Sequence, residues 1–260
     1  MTVSAPPALS PAQEKSIGIA LRAQGYVLLP RVLETGLVTT LRTELDAARL
    51  REEQRFGASA LAAIGQRGYV CDVPGMGPGA RALLGHEVIH AVVRTALGPD
   101  ARLSVAQGIL LDPGMGRGSW PRRWHADLYQ IREAMPDPSF CFGINCLIVL
   151  DDMTEANGAT CVLPGSQSHL NPASPDGAEL EAIAVPVAAP AGSLLVLDAG
   201  LWHAAGHNHT DQPRRVLKLL FVRSWIRPQL DYAKIVPPEV ADRLSPRAAE
   251  VLGLGPPGGS

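Results

Sequence analysis

Apolar residues recur at helical spacing through the first hundred residues of the chain. Leu37, Leu41 and Leu45, for example, stand four residues apart with charged residues between them, which is the pattern of an amphipathic helix. Three segments are predicted to be helical on this basis: residues 13–24, 33–51 and 81–97. A short apolar segment at residues 26–30 predicts a strand between the first two helices, and the segment 52–79 is expected to form loops.

The pattern changes at about residue 101, where short apolar segments begin to alternate with turn signals. The apolar segments are residues 103–111, 140–150, 160–163, 183–187, 193–197 and 216–225, and Pro-Gly, Asn-Gly and Ala-Gly pairs separate several of them. This alternation is typical of a β-sandwich or barrel. We therefore expect a mainly β fold with flanking helices. Its core, over about residues 101–226, would be a cupin-like jelly roll (a double-stranded β-helix) packed against the N-terminal helices.

Length, composition and charge narrow the possible classes of protein. The 260 residues are expected to form one domain, with residues 1–12 and about 253–260 flexible. Hydrophobic residues make up 46% of the chain, which is enough for a sizeable core and argues against disorder. A formal net charge of -2 provides no basic field for a nucleic acid. The N-terminus lacks a signal-peptide pattern and no apolar run is long enough to span a bilayer, so a cytoplasmic protein without membrane contact is expected.

The segment Trp124-His125-Ala126-Asp127 contains an imidazole and a carboxylate two residues apart. On an extended strand such residues point to the same face, so His125 and Asp127 can reach one ion. His203, which follows the apolar segment 193–197, is the best candidate for a third ligand. Two histidines and one carboxylate form the facial triad of iron(II) oxygenases, which leaves coordination positions open, whereas zinc favours tetrahedral closure. A His-x-Asp pair alone is also a common feature of surface strands.

Other histidines and the cysteines offer competing metal ligands. His203 and His207 have the spacing of the two histidines on a zinc-hydrolase helix, but that motif needs Glu after its first histidine, and the chain has Ala204 there. His86 and His90 lie in the helical N-terminal part and are expected to have no role in metal binding. The four cysteines include no Cys-x-x-Cys pair, so we expect reduced thiols packed as small hydrophobic residues.

Several motifs follow one another between residues 124 and 225. They are His125-Ala-Asp127, a turn ending in Asn157-Gly158, Pro164-Gly-Ser166 with His169 three residues on, Trp202-His203 followed by Asn208, and Pro213-Arg214. In content and order this series resembles the phytanoyl-CoA dioxygenase-like (PhyH-type) family of iron(II)- and 2-oxoglutarate-dependent oxygenases. Residues 25–30 and the helix after them also resemble the opening of that family, so the resemblance covers most of the chain.

The resemblance implies that His125, Asp127 and His203 bind iron(II) and that Arg214 binds the distal carboxylate of 2-oxoglutarate. Arg214 follows His203 by 11 residues, which matches the family's interval, and a planar guanidinium suits a carboxylate. Arg215 is the alternative, because neighbours on a strand face opposite sides and only one of the two can reach the site. The implied reaction uses O2 to hydroxylate an unactivated C–H bond and releases succinate and CO2, and the carboxylate of Asp127 argues against halogenation.

Polar residues inside two predicted strands, Gln107 and Asn145, are further candidates for contact with the cosubstrate. A hydrogen-bonded polar group within a sheet is an equally good explanation for each. The chain departs from the family's pattern at Leu147, where an aromatic residue is frequent, and at Ala205, where Ser or Thr is frequent. The contacts of 2-oxoglutarate at those two positions are therefore left unassigned.

The substrate is expected to be a small molecule, such as an amino acid or a natural-product intermediate. Candidate substrate contacts are Trp120, Arg122, Tyr129, Trp202 and Trp225. The basic pair Arg122-Arg123 suits an anionic substrate, with a solvated turn as the alternative, and the segment 54–69 is a candidate lid. Two other functions stay open: a non-catalytic cupin-like metal- or ligand-binding protein, and a zinc hydrolase that uses His203, His207 and a carboxylate.

Overall fold

The computed structural model of the protein describes residues 9–116, 124–128, 131, 137, 140–168, 180 and 182–254. The helices are α1 (Pro11–Gln24), α2 (Thr35–Phe56), α3 (Ala58–Ala63), α4 (Val73–Met76), α5 (Pro78–Leu84), α6 (Glu87–Leu97), α7 (Tyr232–Ile235), α8 (Pro238–Ala241) and α9 (Pro246–Val251). The strands are β1 (Tyr26–Leu29), β2 (Tyr69–Val70), β3 (Arg102–Leu111), β4 (Gly143–Val149), β5 (Thr160–Val162), β6 (Val185–Pro186), β7 (Leu194–Asp198), β8 (His203–Ala205) and β9 (Arg214–Val222). Within these described ranges, no helix has the length and apolar character needed to cross a membrane.

The strands form two antiparallel sheets. The larger sheet has the order β1-β7-β4-β9-β3-β2, and the smaller has the order β6-β5-β8. Residues of both sheets line one cavity, which is the arrangement of a jelly roll. The predicted mainly β fold with flanking helices is thus confirmed, and the short strand predicted after the first helix is β1, paired with β7.

The two faces of the larger sheet have different surroundings. On β9, the buried side chains of Leu217 and Leu219 belong to the same apolar cluster as Leu41 and Leu45 of α2. Lys218, between them, lines the cavity on the other face. Because successive side chains of a strand point to opposite faces, one face of the sheet packs against helices and the other faces the cavity.

The prediction of one helix over residues 81–97 is wrong, because the segment forms two helices. α5 ends at Leu84 and α6 starts at Glu87, and His86 between them has the extended backbone angles φ -68° and ψ 121°. Gly85 packs so closely against Ser245 that a Cβ at this position would collide with the Ser245 hydroxyl. The spacing of apolar residues, which continues on both sides of Gly85, does not reveal this break or the contact with the C-terminal segment.

The N-terminal region also contains more regular structure than predicted. The segment 52–79, expected to be loops, includes the last turn of α2 together with α3, β2 and α4. Asp72 caps α4, since its carboxylate accepts a hydrogen bond of 3.0 Å from the backbone N–H of Gly75. α1 begins at Pro11, two residues earlier than predicted, after a capping box formed by Ser10 and Gln13.

Candidate metal centre

Two histidines from distant segments of the chain are joined through their backbones. The N–H of His125 donates to the carbonyl of His203 at 3.1 Å, and the N–H of His203 donates to the carbonyl of His125 at 2.9 Å. Residues that exchange hydrogen bonds in this way project their side chains to the same side of the pair. The two imidazole centroids accordingly lie 4.4 Å apart.

Asp127 completes a three-residue cluster with these histidines. One potential ligand atom from each of His125, Asp127 and His203 lies within 4.8 Å of the others, and the described ranges contain no second cluster of this kind. The segment is not the extended strand that we predicted, because only His125 is paired and Asp127 opens a turn. The next residue, Leu128, has a φ of 55°, in the left-handed region that residues with a side chain rarely occupy.

The protonation state of His203 suits a metal ligand. Its Nδ1 lies 2.9 Å from the carbonyl of Leu201, and because a carbonyl can only accept, Nδ1 carries the proton and Nε2 keeps its lone pair. Burial, with a smaller contribution from the neighbouring His125, lowers the pKa of His203 to about 4. The ring is therefore neutral near pH 7, with Nε2 3.6 Å from the carboxylate Oδ2 of Asp127.

The Asp127 carboxylate has two hydrogen-bond partners that hold it in place. Lys218 donates from Nζ to Oδ1 at 2.8 Å, and Asn145 donates from Nδ2 to Oδ2. Burial alone would raise the pKa of Asp127, but the positive charge of Lys218 and the two nearby imidazoles lower it well below its ordinary value. The carboxylate is thus ionised throughout the neutral range, as metal binding requires.

The sequence analysis did not select Lys218, although a signal for it was present. Lys218 is four residues after Arg214 on β9, so the two share a strand face, together with Val216. A lysine in the middle of an apolar strand is unusual enough to indicate a function. Asn145 is fully buried and donates a hydrogen bond to the candidate ligand Asp127, and its contact with the cosubstrate stays a prediction from the sequence.

A cavity of about 390 Å³ lies between the two sheets, beside the three-residue cluster. The described residues that line it are Gln66, Tyr69, Gln107, Ile109, Leu111, His125, Ala126, Leu147, Thr160, His203, Ala204, Ala205, Arg214, Val216 and Lys218. Gln107 thus faces the cavity, as do both positions at which the chain departs from the family's pattern. Gln66 and Tyr69 come from the segment expected to act as a lid, so part of that segment forms the cavity wall.

Arg214 and Arg215 have opposite surroundings, as the alternation along a strand requires. The side chain of Arg214 is buried and lines the cavity. Arg215 points away from it, with its guanidinium 2.7 Å from a carboxylate oxygen of Asp46 and 3.1 Å from one of Asp151. Arg214 is therefore the residue of the pair that faces the candidate site, and Arg215 forms ion pairs on the other side of the strand.

The five predicted substrate contacts have different outcomes. Trp120, Arg122 and Tyr129 lie outside the described residues. Trp202 is partly buried beside His203, but it is absent from the described cavity wall. Trp225 is also absent from that wall and is 59% exposed, with its ring centroid 6.2 Å from that of Phe140.

His207 lies apart from the candidate centre. Its ring is 4.4 Å from that of His209, and both line a separate cavity that also contains Glu155. His90, in α6, has its Nε2 2.8 Å from the carbonyl of Leu84 and is buried among helices. Neither arrangement brings these histidines to His203.

Two of the remaining motifs support the loops around His203. The hydroxyl of Ser166, from the Pro-Gly-Ser segment, accepts a hydrogen bond of 2.9 Å from the backbone N–H of Trp202. Asn208 is fully buried and donates from its amide to the carbonyls of Leu111 and Gln212, at 2.9 and 2.8 Å. These side chains therefore position the segment that carries His203, and none of them is needed as a ligand.

The donor set fits an iron ion. Two imidazoles and one carboxylate approach from one side, which is the facial arrangement of non-haem iron(II) sites, and the cavity adjoins the remaining side. Within the described cavity wall and its surroundings no cysteine joins the three residues, so a closed tetrahedral zinc set is not formed by them.

The comparison with solved structures identifies the fold class of the protein. The epimerase SnoN, whose structure was solved in complex with Fe3+, alpha ketoglutarate and nogalamycin RO, aligns with a TM-score of 0.62 at 24% sequence identity, over 82% of this chain and 85% of that one. At this level of identity the comparison establishes the shared fold. The protein therefore has the jelly-roll architecture on which 2-oxoglutarate-dependent enzymes are built.

The comparison with known sequences identifies the family. The model of the family "Phytanoyl-CoA dioxygenase (PhyH)" matches residues 21–216, and the chain belongs to this family. An uncharacterised protein of Mycobacterium tuberculosis is 29% identical over 238 residues, covering 90% of this chain and 84% of the relative. Dioxygenase FUM3 of Gibberella moniliformis is 32% identical over 181 residues, covering 66% and 58%. The resemblance described from the motifs is confirmed, and the protein is an oxygenase that depends on iron(II), 2-oxoglutarate and O2.

Proposed function

We propose that the chain hydroxylates an unactivated C–H bond of a small molecule, such as an amino acid or a natural-product intermediate, at iron(II) bound by His125, Asp127 and His203. One observation carries this proposal: the three ligand atoms converge within 4.8 Å beside the cavity that contains Arg214. When bound, iron(II) would couple the oxidation of 2-oxoglutarate by O2 to that of the substrate. One oxygen atom would enter succinate, the other would enter the hydroxylated product, and CO2 would leave.

The first task of the protein's own residues is to hold the metal from one side. His125 and His203 extend from a paired backbone, and Asp127 approaches from the adjoining turn. Hydrogen bonds from Lys218 and Asn145 restrict the rotation of the Asp127 carboxylate. Residues that donate hydrogen bonds to a metal ligand orient that ligand and raise the affinity of the site for its metal.

The second task is to bind 2-oxoglutarate and exclude water. The Arg214 side chain is 3% exposed, and its planar guanidinium is suited to a bidentate bond with the distal carboxylate of the cosubstrate. Gln107 faces the same cavity and offers an amide as a further contact. Leu111, Leu147 and other apolar residues contribute much of the remaining described wall, and their side chains offer no additional polar contacts there.

Other chemistries receive less support from the same residues. A zinc hydrolase would need His207 near His203, whereas His207 lines a different cavity. Halogenation would need an open position for halide where Asp127 supplies a carboxylate. A non-catalytic cupin-like protein could keep the barrel and the metal, but it would not need Arg214 to anchor 2-oxoglutarate. Oxidation at iron(II) with 2-oxoglutarate as cosubstrate consequently uses all of the named groups, and hydroxylation is the form of that chemistry that we propose.

The proposal is tested by adding Fe(II) and 2-oxoglutarate to the metal-free protein under anaerobic conditions. We expect a weak visible charge-transfer band, and slow formation of succinate after admission of air even without substrate. Absence of the band together with tight binding of zinc would contradict an iron oxygenase. A normal band without any succinate would favour the non-catalytic binding protein.

A further inference from the structure

Lys218 is a largely buried cation in the wall of the candidate active site. Its side chain is 14% exposed, and its Nζ lies 2.8 Å from Oδ1 of Asp127. It stands opposite Gln107 on β3 and opposite Leu147 on β4, so it occupies the centre of the cavity-facing side of the sheet. Burial of an ammonium group is costly unless negative charge and hydrogen-bond acceptors surround it.

Asp127 satisfies Lys218 only in part. An ammonium group has three N–H donors, and one of them donates to Asp127. Across the parts of the chain that the structure describes, this is the single acceptor that Lys218 has. Two donors therefore remain for a molecule that enters the cavity.

The balance of charge also indicates an additional anion. The described cavity wall contains Arg214 and Lys218 and no acidic residue, and the adjacent Asp127 contributes one negative charge. Binding of iron(II) adds two positive charges, and binding of 2-oxoglutarate adds two negative charges. Around Lys218 itself, Asp127 is the one negative charge among the described residues, and iron(II) would share that carboxylate once it is bound. A carboxylate of the substrate would supply a second negative charge.

The position of Lys218 separates its role from that of Arg214. The two residues are four apart on β9, which places their Cα atoms about 13 Å apart. Arg214 is therefore the cation remote from Asp127, and Lys218 is the cation beside it. Leu147 and Val216, which also line the cavity, provide apolar surface next to the ammonium group for the remainder of a substrate.

We propose, on the basis of the function proposed above, that Lys218 binds a carboxylate of the substrate and so selects a small carboxylic acid as the molecule to be oxidised. The ammonium group keeps one hydrogen bond to Asp127 and gives its other donors to the substrate carboxylate. This anchors the substrate at a defined distance from the metal. Lys218 is thereby a specificity-determining residue.

The experiment uses acetate as the probe and acetamide as its uncharged match. Each is titrated anaerobically, at constant ionic strength, into the complex of protein, Fe(II) and saturating 2-oxoglutarate, and the visible charge-transfer band is recorded. The variants are Lys218→Met, which keeps length without charge, and Lys218→Arg, which keeps the charge. Lys234→Met is the matched control, because Lys234 is 78% exposed and pairs only with Asp231 among the described residues.

We expect acetate, but not acetamide, to perturb the band of the wild type and of Lys234→Met with a saturable dependence. In Lys218→Met the apparent affinity for acetate should fall roughly tenfold or more, the size associated with one charge-assisted hydrogen bond. Lys218→Arg should retain most of the response. Circular dichroism checks the fold, and Lys218→Gln replaces Lys218→Met if the latter does not fold.

Equal responses of the wild type and Lys218→Met to acetate, or no response in any form, would overturn the inference and leave the proposed function intact. All forms are compared at saturating Fe(II), because loss of the Lys218–Asp127 hydrogen bond is itself expected to weaken metal binding. Loss of the band in Lys218→Met at saturating Fe(II), with weaker binding of 2-oxoglutarate, would show that Lys218 holds the cosubstrate and would also overturn the inference. Failure of the wild type to form the band at all would instead reject the proposed function, and the inference with it.

Discussion

The backbones of His125 and His203 exchange two hydrogen bonds, of 3.1 and 2.9 Å, and this pairing sets the distance between their side chains. The positions of the two imidazoles therefore depend on the main chain more than on contacts between the rings. Replacing one side chain should leave the other in place. Variants of single ligands are consequently informative about metal binding, because we expect them to fold.

Asp127→Ala should abolish the charge-transfer band formed with Fe(II) and 2-oxoglutarate. Two imidazoles would remain, but one ligand would be lost. The affinity for iron should therefore fall by more than the ~10–100-fold that is typical when only a hydrogen-bond partner of a ligand is removed. His207→Ala is the matched control and should keep the band, since His207 lines a separate cavity. Loss of the band in His207→Ala with retention in Asp127→Ala would show that the ligand set is wrong.

Arg214→Met and Arg215→Met should have different effects, although the residues are neighbours. Arg214 faces the cavity, so its replacement should raise the Kd for 2-oxoglutarate roughly tenfold to a hundredfold, as one or two charge-assisted hydrogen bonds are lost. Arg215→Met should leave that Kd unchanged and lower the free energy of unfolding by about 1 kcal/mol, because it loses ion pairs to Asp46 and Asp151. The band titration and urea denaturation measure the two quantities. The opposite pattern would assign the cosubstrate to Arg215.

Asn145→Leu distinguishes a metal-supporting role from a cosubstrate contact. Because the Asn145 amide donates to Asp127, its loss should weaken Fe(II) binding by ~10–100-fold while the Kd for 2-oxoglutarate, measured at saturating iron, stays nearly constant. Gln107→Leu is the matched comparison, since Gln107 lines the cavity, and it should spare iron binding. A raised Kd for 2-oxoglutarate in Asn145→Leu, with normal iron affinity, would instead support the contact with the cosubstrate that the sequence predicts for Asn145.

The metal-free protein should lose stability as the pH falls from about 6.5 to about 4. Burial lowers the pKa of His203 from 6.5 to about 4, so within this window the unfolded chain binds more protons than the folded one. Above pH 6.5 the titration of His203 does not affect the free energy of unfolding. Between pH 6.5 and pH 4 it lowers that free energy by up to about 3 kcal/mol. Burial also lowers the pKa values of His86 and His90, so the comparison with His203→Gln isolates this residue.

That comparison is made by urea denaturation at several pH values in the presence of a chelator. His203→Gln should show a shallower dependence on pH than the wild type across the same window. Identical slopes would mean that His203 is not held neutral by burial in the folded protein.

Much of the architecture is determined locally and could be predicted from the sequence. The apolar segments 103–111, 160–163 and 193–197 closely match β3, β5 and β7, because a half-buried or buried strand must carry apolar side chains and end at turn residues. β8, which carries His203, has the sequence His-Ala-Ala and contains no large or β-branched apolar side chain that would indicate a strand. The break at Gly85 was missed because buried apolar residues continue at helical spacing on both sides of it, in α5 and in α6.

For the candidate site, the sequence by itself determined the types of residue and their order: a His-x-Asp pair, a distal histidine, and an arginine whose strand neighbour must face the other way. The tertiary structure alone decided that Lys218 and Asn145 both contact Asp127, and that Trp225 lies at the surface. These contacts depend on the register between strands and loops that are distant in the chain. Register follows from the packing of whole sheet faces, so no local pattern of residues specifies which side chains meet.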